Sequence, residues 1–228
     1  MNATVTLMYK NHMSDLAPKV QAALDLAVLT PEIPGGGFYD IEGMSGKRYR
    51  YFINNLVRSV GNPRYLEVGS WRGSTLCSAI HGNTLTAVAI DNWSEFGGPK
   101  NAFQRNVETF ASPQSKVFFI ESDFRKVDFK QFDQKFNIYL FDGPHEAQDQ
   151  FDGLARALAA LEDEFVFIVD DWNWERVRAG TFSAIRKCNL GVTFASEIRT
   201  TMDNTHPVVG GKESDWHNGY FIAVLTKP

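Results

Sequence analysis

The 228-residue chain reads as an α/β fold, a three-layer sandwich around a mostly parallel seven-stranded sheet, with a helical lead-in at the N-terminus. Three observations predict it. From Arg64 onward, short apolar runs alternate with helical stretches. Those runs are apolar on both faces, as strands must be when helices cover a parallel sheet on both sides. Before Arg64 the apolar residues recur at helical spacing instead.

The first helix is expected over residues 14–29, with Ser14 as N-cap and Leu16, Val20, Leu24, Ala27 and Val28 on one side. The stretch "PEIPGGGFYDIEGMSG" breaks that pattern with prolines and glycines and reads as a connector. A second helix, from about Lys47 to Val60, should bury Tyr49, Phe52, Ile53, Leu56, Val57 and Val60. Gly61 and Pro63 stop it. These elements form a lead-in over residues 1–61, and residues 62–228 form the main domain. Its strands are "RYLEV", "LTAVAI", "KVFFIE", "FNIYLF" and "EFVFIV". Helices are expected near 73–81, 99–110, 145–161 and 174–189, with a shorter one near 125–132, and right-handed crossovers follow. "VTFASE" and "YFIAVLTK" are two further strands with no strong helix between them. Their connection, residues 199–218, is long and polar, which suggests a functional loop.

Composition narrows the function classes. Hydrophobic residues make up 43% and charged residues 22%, as in ordinary globular proteins. A net charge of −4 argues against broad attraction to nucleic acid or an anionic membrane. Cys77 and Cys188 read as free thiols of a reducing compartment. No signal peptide and no apolar run of the roughly 20 residues that span a bilayer is evident, so a cytoplasmic location is expected.

Three successive strand ends carry groups suited to a ligand. The stretch "YLEVGSWRGST" follows the first strand of the main domain and opens a helix. Its Gly69 and Gly73 let the backbone turn tightly, leave room for a ligand, and aim helix N–H groups into the crevice. A dinucleotide fold would want G-x-G-x-x-G, and here Ser70, Trp71 and Arg72 intervene. The next strand ends "AIDNW", where Asp91 can accept both hydroxyls of a ribose. The third ends "ESDF", where Ser122 and Asp123 could bond an adenine edge and Phe124 could pack on it. Singly, each has a bland alternative: a structural turn, a surface acid. Three in succession are harder to assign to chance.

The fourth and fifth strands end in acids, Asp142 in "YLFDGPHEAQ" and the Asp170–Asp171 pair in "FIVDDWNW". Neighbouring strands lie roughly 4.8 Å apart. Carboxylates from both could therefore converge on one hard cation, with magnesium–oxygen distances of about 2.0–2.1 Å. Such an ion would neutralise the adjacent like charges. His145, three residues after Asp142, could reach a hydroxyl held by the same ion. The alternatives stay open: helix capping for the aspartate pair, and a solvent-facing position for the histidine.

With these residues in hand, the chain from Met44 to Lys227 resembles the Rossmann-like class I methyltransferases, whose turn spacing is E-x-G-x-x-x-G. Within them it is similar to the metal-dependent O-methyltransferases of the catechol type and the macrocin- and novobiocin-type sugar enzymes. That pattern sets an aspartate after the fourth strand and an Asp-Asp or Asp-Asn pair after the fifth. The resemblance implies an antiparallel last strand and S-adenosylmethionine as cofactor. The cofactor would be held by Glu67, Gly69, Ser70, Trp71, Gly73, Ser74, Asp91, Asn92, Trp93, Ser122, Asp123, Phe124 and Asp142. Met44 and Ser45, from "EGMSGKRY", would contact its methionine portion. It also implies Mg²⁺ or another divalent cation on Asp142, Asp170 and Asp171, and His145 as the catalytic base. Some relatives use an aspartate two residues after the first ligand; Pro144 stands there and removes that option.

The expected activity is methylation of a hydroxyl on a small molecule such as a sugar, a phenol or a secondary metabolite, with a homodimer possible. Two rivals share parts of the pattern. An NAD-dependent oxidoreductase would also use Asp91, but the glycine spacing opposes it. A non-catalytic S-adenosylmethionine-binding protein would not need Asp142, His145, Asp170 and Asp171 together. Trp172 and Trp174 flank the acidic pair and are candidates for an acceptor wall or for core. His206, Asp215, Trp216 and His217 are candidates for the acceptor entrance or for solvated loop. His12 and His81 read as structural or exposed.

Overall fold

The computed structural model describes residues 3–10, 14–33 and 36–228. His12, and Pro34 and Gly35 of the expected connector, lie outside the described residues. The elements run β1 (Thr4–Lys10), α1 (Ala17–Leu29), α2 (Lys47–Ser59), β2 (Arg64–Val68), α3 (Ser74–Ile80), β3 (Thr86–Asp91), α4 (Lys100–Phe110) and β4 (Lys116–Glu121). Then follow β5 (Phe136–Phe141), α5 (Ala147–Ala157), β6 (Leu161–Val169), α6 (Glu175–Lys187), β7 (Gly191–Arg199) and β8 (Tyr220–Thr226). The helix expected near 125–132 is two single 3₁₀ turns, Phe124–Lys126 and Phe129–Gln131, capped by the side chains of Asp123 and Asp128.

All strands join one sheet in the order β1-β7-β8-β6-β5-β2-β3-β4. The pairs among β2 to β6 are parallel, and β8 runs antiparallel to both β6 and β7. The sheet holds the seven expected strands and an eighth, β1, which pairs antiparallel with β7. The lead-in is therefore not helical throughout, because its first segment extends the sheet. β4, expected to be covered on both faces, is instead an edge strand, with Phe118 and Phe119 exposed.

Residue alternation along the strands builds the two cores. Ile138 and Leu140 of β5 face the side covered by α1, α2 and α3, whereas Tyr139 and Phe141 face the side covered by α5 and α6. The apolar stripe of α2 (Tyr49, Phe52, Ile53, Leu56, Val57) is buried at the expected helical spacing. The helix expected from residue 14 starts at Ala17 with Leu16 as its N-cap; Ser14 lies two residues ahead, its Oγ accepting from the N–H groups of Leu16 and Ala17. The first N–H groups of α2, which lack helical partners, are satisfied from far along the chain. Lys47 donates to Ser214 O (2.8 Å), and Arg48 donates to Asp215 O (3.1 Å). The 199–218 segment is thus anchored on the lead-in. Strand order reverses at β2, between β3 and β5, and an open α/β sheet binds ligands at that point.

Candidate active site

A cavity of about 490 Å³ opens at the carboxyl ends of β2 through β6. Its floor is the glycine turn. Gly69 has φ +84°, and a Cβ there would sit 1.8 Å from the carbonyl oxygen of Asp142, so only glycine lets the ends of β2 and β5 meet. Asp91 braces this turn. Its Oδ2 accepts from the N–H groups of Ser70 and Trp71 (2.8 Å each), and its Oδ1 from Trp93 N–H (2.6 Å). A carboxylate offers about four lone-pair directions, so three donors leave roughly one for a ligand hydroxyl. The sequence alone had suggested a carboxylate free to take two.

The β3–α4 loop is stitched to the turn by two indoles. Trp93 Nε1 donates to Trp71 O (2.8 Å), and Trp71 Nε1 donates to Phe96 O (3.1 Å). Asp123 caps the 3₁₀ turn after β4 through Arg125 N–H (2.9 Å), with Phe124 packed edge-on against Phe141. Ser122, Asp123 and Phe124 nonetheless face the cavity.

Of the residues expected to hold a cofactor, Ser45, Glu67, Ser70, Gly73 and Ser74 do not line the cavity; the others do. Ser45 and Ser74 bond each other behind the wall (2.9 Å). Glu67 is fully buried beneath the turn, where its Oε2 accepts from Tyr65 OH (2.6 Å) and its Oε1 has no partner. Burial pushes its carboxyl up to about 8, against the opposing hydrogen bond from Tyr65 OH.

The acidic strand ends do converge. Asp142 N–H continues β5 onto Val68 O (2.9 Å), and Asp170 N–H reaches Phe141 O (3.3 Å). Asp171 then turns the chain with φ +57°, its N–H donating to Asp170 Oδ1 (2.7 Å). His145 Nε2 lies 2.6 Å from Asp171 Oδ2, and its ring stands edge-on to Trp174 at 4.9 Å. Donor atoms of Asp142, His145 and Asp171 lie within 4.8 Å of one another. Asp170 is not in that group, although it lines the cavity and its carboxyl interacts with that of Asp142. The tightest grouping therefore has His145 where the sequence pattern had Asp170.

The electrostatics describe a centre short of positive charge. Burial, then the Asp171 charge, pushes Asp142 up to about 7. Burial, then Asp142, raises Asp170 well above the usual carboxylate range. Burial would raise Asp171 too, but the His145 hydrogen bond and charge outweigh it and hold this carboxyl low. For His145, burial lowers and Asp171 raises, and the net direction is up. The result is the His145–Asp171 ion pair beside two carboxyls that burial and neighbouring acids push upward. A hard divalent cation would relieve that crowding, and the carboxylate oxygens suit magnesium or manganese, whereas an imidazole ligand would favour a softer transition ion.

The remaining candidates separate cleanly. Trp174 lines the cavity, whereas Trp172 is core, stacked on Phe221 (4.4 Å) with Nε1 on Glu197 (2.9 Å). His206 and His217 line the cavity; Asp215 pairs with Arg48 (3.2 Å) and Trp216 is buried in the core. His217 Nδ1 accepts from Gly211 N–H (2.8 Å), and burial pulls the ring down to about 4, so it is neutral. His81 packs between Phe38 and Phe110, away from the cavity. Both cysteines are free thiols.

Sequence reading missed Arg50, Asn173 and Asn218. Arg50 is wholly buried and donates to the carbonyls of Phe38, Tyr39 and Ile41 and to Ser45, fixing the strap that carries Met44 to the cavity. A charged residue next to Tyr49, at the edge of an apolar helix stripe, was the available signal. Backbone strain also marks the site. Among the described residues, the positive-φ residues other than glycine and asparagine are Trp71, Trp93, Phe96, Asp171 and His217, and all five line the cavity. Such conformations cost on the order of 1 kcal/mol or more each and collect at functional sites.

Residues 66–172 match a family model described as a methyltransferase domain, a span that stops just short of half the chain. No curated protein matches the chain. Among solved structures, the O-methyltransferase from Bacillus cereus in complex with SAH is similar with a TM-score of 0.58 at 15% identity, over 91% of this chain and 100% of that one. The O-methyltransferase TomG from Streptomyces achromogenes, involved in tomaymycin synthesis and bound to SAM, gives 0.53 at 13% identity, over 95% and 92%. TrmN from Thermus thermophilus gives 0.52 at 16% identity over 78% of this chain, which spans about half (49%) of that chain's length. Residues 66–172 thus match a methyltransferase-domain model, and the chain shares the Rossmann-like fold of these methyltransferase structures.

Proposed function

We propose that the protein is an S-adenosylmethionine-dependent O-methyltransferase, assisted by a divalent cation and acting on a small-molecule hydroxyl. The observation that carries this reading is the shared cavity: the glycine turn with Asp91 and the acidic centre with His145 open into the same space. SAM and SAH in the related structures support the cofactor, and two of those structures are described as O-methyltransferases. A volume of about 490 Å³ is in the range of cofactor and small-molecule pockets.

The residues divide the work. Asp91 and Asn92 would hold the ribose end, and Ser122, Asp123 and Phe124 the adenine end. Met44 would meet the methionine end. Bound S-adenosylmethionine supplies an electrophilic sulfonium methyl, whose transfer chiefly needs donor and acceptor held in line. Asp142, Asp170 and Asp171 would hold a divalent cation, which supplies the charge that favours an ionised acceptor oxygen. His145 Nε2–H donates to Asp171, which orients the ring and stabilises its charged form, and the other ring nitrogen would take the acceptor proton. Trp174 and His206, which line the cavity, would wall the acceptor side.

The test is methyl transfer from S-adenosylmethionine to an acceptor panel, in EDTA-treated protein with and without added magnesium, alongside thermal shifts with SAH and NAD. Magnesium-dependent methylation of a hydroxyl is the expected outcome. A shift with NAD and none with SAH would overturn the cofactor assignment, and full activity in EDTA the role of the cation.

A further inference from the structure

Asp171 is joined to the 199–218 loop by a chain of amides that has only one possible polarity. Asn218 Nδ2 donates to Asp171 Oδ1 (2.7 Å). A carboxylate can only accept there, so Asn218 must turn its oxygen away, toward Asn173. Asn173 Nδ2 fills that position (3.0 Å) and also donates to Thr200 Oγ1 (2.8 Å). Asn173 Oδ1 is thereby directed at the loop backbone, where it accepts from the N–H groups of Thr200 (3.0 Å) and Thr201 (3.3 Å). Thr200 Oγ1 closes the circuit by donating to His217 O (2.9 Å). Both asparagines are fully buried. Main-chain bonds lock the frame, with Asn173 N–H on Asn218 O (3.0 Å) and Arg178 donating to Asn173 O (2.6 Å).

Each amide orientation follows from the one before, beginning at the Asp171 carboxylate. Nothing in the fold's core needs such a chain, because apolar side chains would fill that volume without the cost of desolvating two amides. What it does is fix one oxygen of Asp171, leaving the other for the cavity side, where His145 stands. It also makes two backbone N–H groups of the loop depend on the same carboxylate.

We infer that Asn218 and Asn173 are positioning residues that hold Asp171 as a cation ligand, and that through them cation binding and the order of the 199–218 loop are linked. The inference rests on the cation reading of the acidic centre. Linkage is reciprocal, so a cation that favours the present Asp171 orientation also favours the loop that supports it. Partners of this kind, one bond behind a metal ligand, typically change metal affinity 10–100-fold when removed.

The experiment uses the full chain and Mn²⁺ alone as probe, with free Mn²⁺ read by electron paramagnetic resonance and SAH affinity measured in parallel. Asn218→Ala should weaken Mn²⁺ binding roughly 10–100-fold while SAH affinity stays within about twofold. Asn173→Asp keeps the shape and the acceptor for Thr200 N–H but cannot donate to Asn218, so it should weaken Mn²⁺ in the same direction. Should either variant fail to fold, the wild-type protein still decides. Amide exchange at Thr200 and Thr201 should slow when Mn²⁺ is added. Wild-type protein that binds Mn²⁺, with both variants binding it equally well or with exchange at these amides indifferent to the ion, overturns this inference and leaves the cation reading intact. Wild-type protein that binds no Mn²⁺ overturns both.

Discussion

His145 Nε2 donates to Asp171 Oδ2 at 2.6 Å, so the ring could take a proton through its other nitrogen, or ligate a cation through Nε2 once that proton has left. The two roles give opposite results on deletion. As a base, His145→Ala should lower turnover by about 10²–10⁴-fold and leave Mn²⁺ affinity nearly unchanged. If Mn²⁺ affinity collapses with turnover, the ring is a ligand and the proton goes elsewhere. A second residue-scale prediction concerns Glu67. Its folded-state carboxyl titrates near 8, above its ordinary value of 4.5, so the folded state binds a proton that the unfolded state has released between those values. The contribution is therefore fully present below about 4.5 and is lost as pH rises through about 8. In cation-free protein, the wild-type melting temperature should fall more steeply from pH 5 to 8.5 than that of Glu67→Gln. Parallel melting curves would show that Glu67 does not carry this dependence.

At the scale of elements, the turn after β2 tolerates one residue type for a reason that can be measured. Gly69→Ala combines φ +84° with a Cβ 1.8 Å from Asp142 O, so it must push β2 and β5 apart. It should destabilise by about 2–4 kcal/mol, in the range of backbone strain plus a forced packing shift. Gly61, just past α2, is the control: a Cβ there meets nothing within 4 Å, and no left-handed φ is required. Gly61→Ala should be neutral or stabilise by about 0.4–1 kcal/mol through the unfolded chain. Chemical denaturation of both variants checks the contrast, and equal effects would remove close approach as the cause. Elements were legible in the sequence where a local rule governs them. β2, β4 and β5 begin and end where their apolar runs do. β1 was not legible, because the edge strand exists only through its pairing with β7, nearly 190 residues away. Edge exposure of β4 was hidden for the same reason: Phe118 and Phe119 look like core until the sheet order is known.

For the whole molecule, the legible part of the site was the part written at strand ends. Gly69, Asp91, Asp142 and the Asp170–Asp171 pair could be placed because an α/β sheet directs all those ends to one side. The amides behind Asp171 could not be placed, since Asn218 meets Asp171 and Asn173 from 47 and 45 residues away. The same architecture yields the last prediction. The groups proposed for the cofactor come from the β2, β3 and β4 ends, those proposed for the cation from the β5 and β6 ends, and Asp142 lies at the switch between them, its carbonyl against Gly69 and its carboxyl beside Asp170. Calorimetric titration of three variants with SAH and with Mn²⁺ should therefore give a pattern, not a uniform loss. Asp91→Ala should weaken SAH by about 1.5–3 kcal/mol, as for lost charged hydrogen bonds, and spare Mn²⁺. Asp171→Ala should weaken Mn²⁺ and spare SAH. Asp142→Ala should weaken both. A ligand at 100 times its Kd adds about 2.7 kcal/mol of stability, so thermal shifts must reproduce the same pattern if each variant is folded. Should Asp142→Ala touch only one ligand, the two sites do not meet at the switch point, and the single shared cavity would no longer support methyl transfer to a cation-held oxygen.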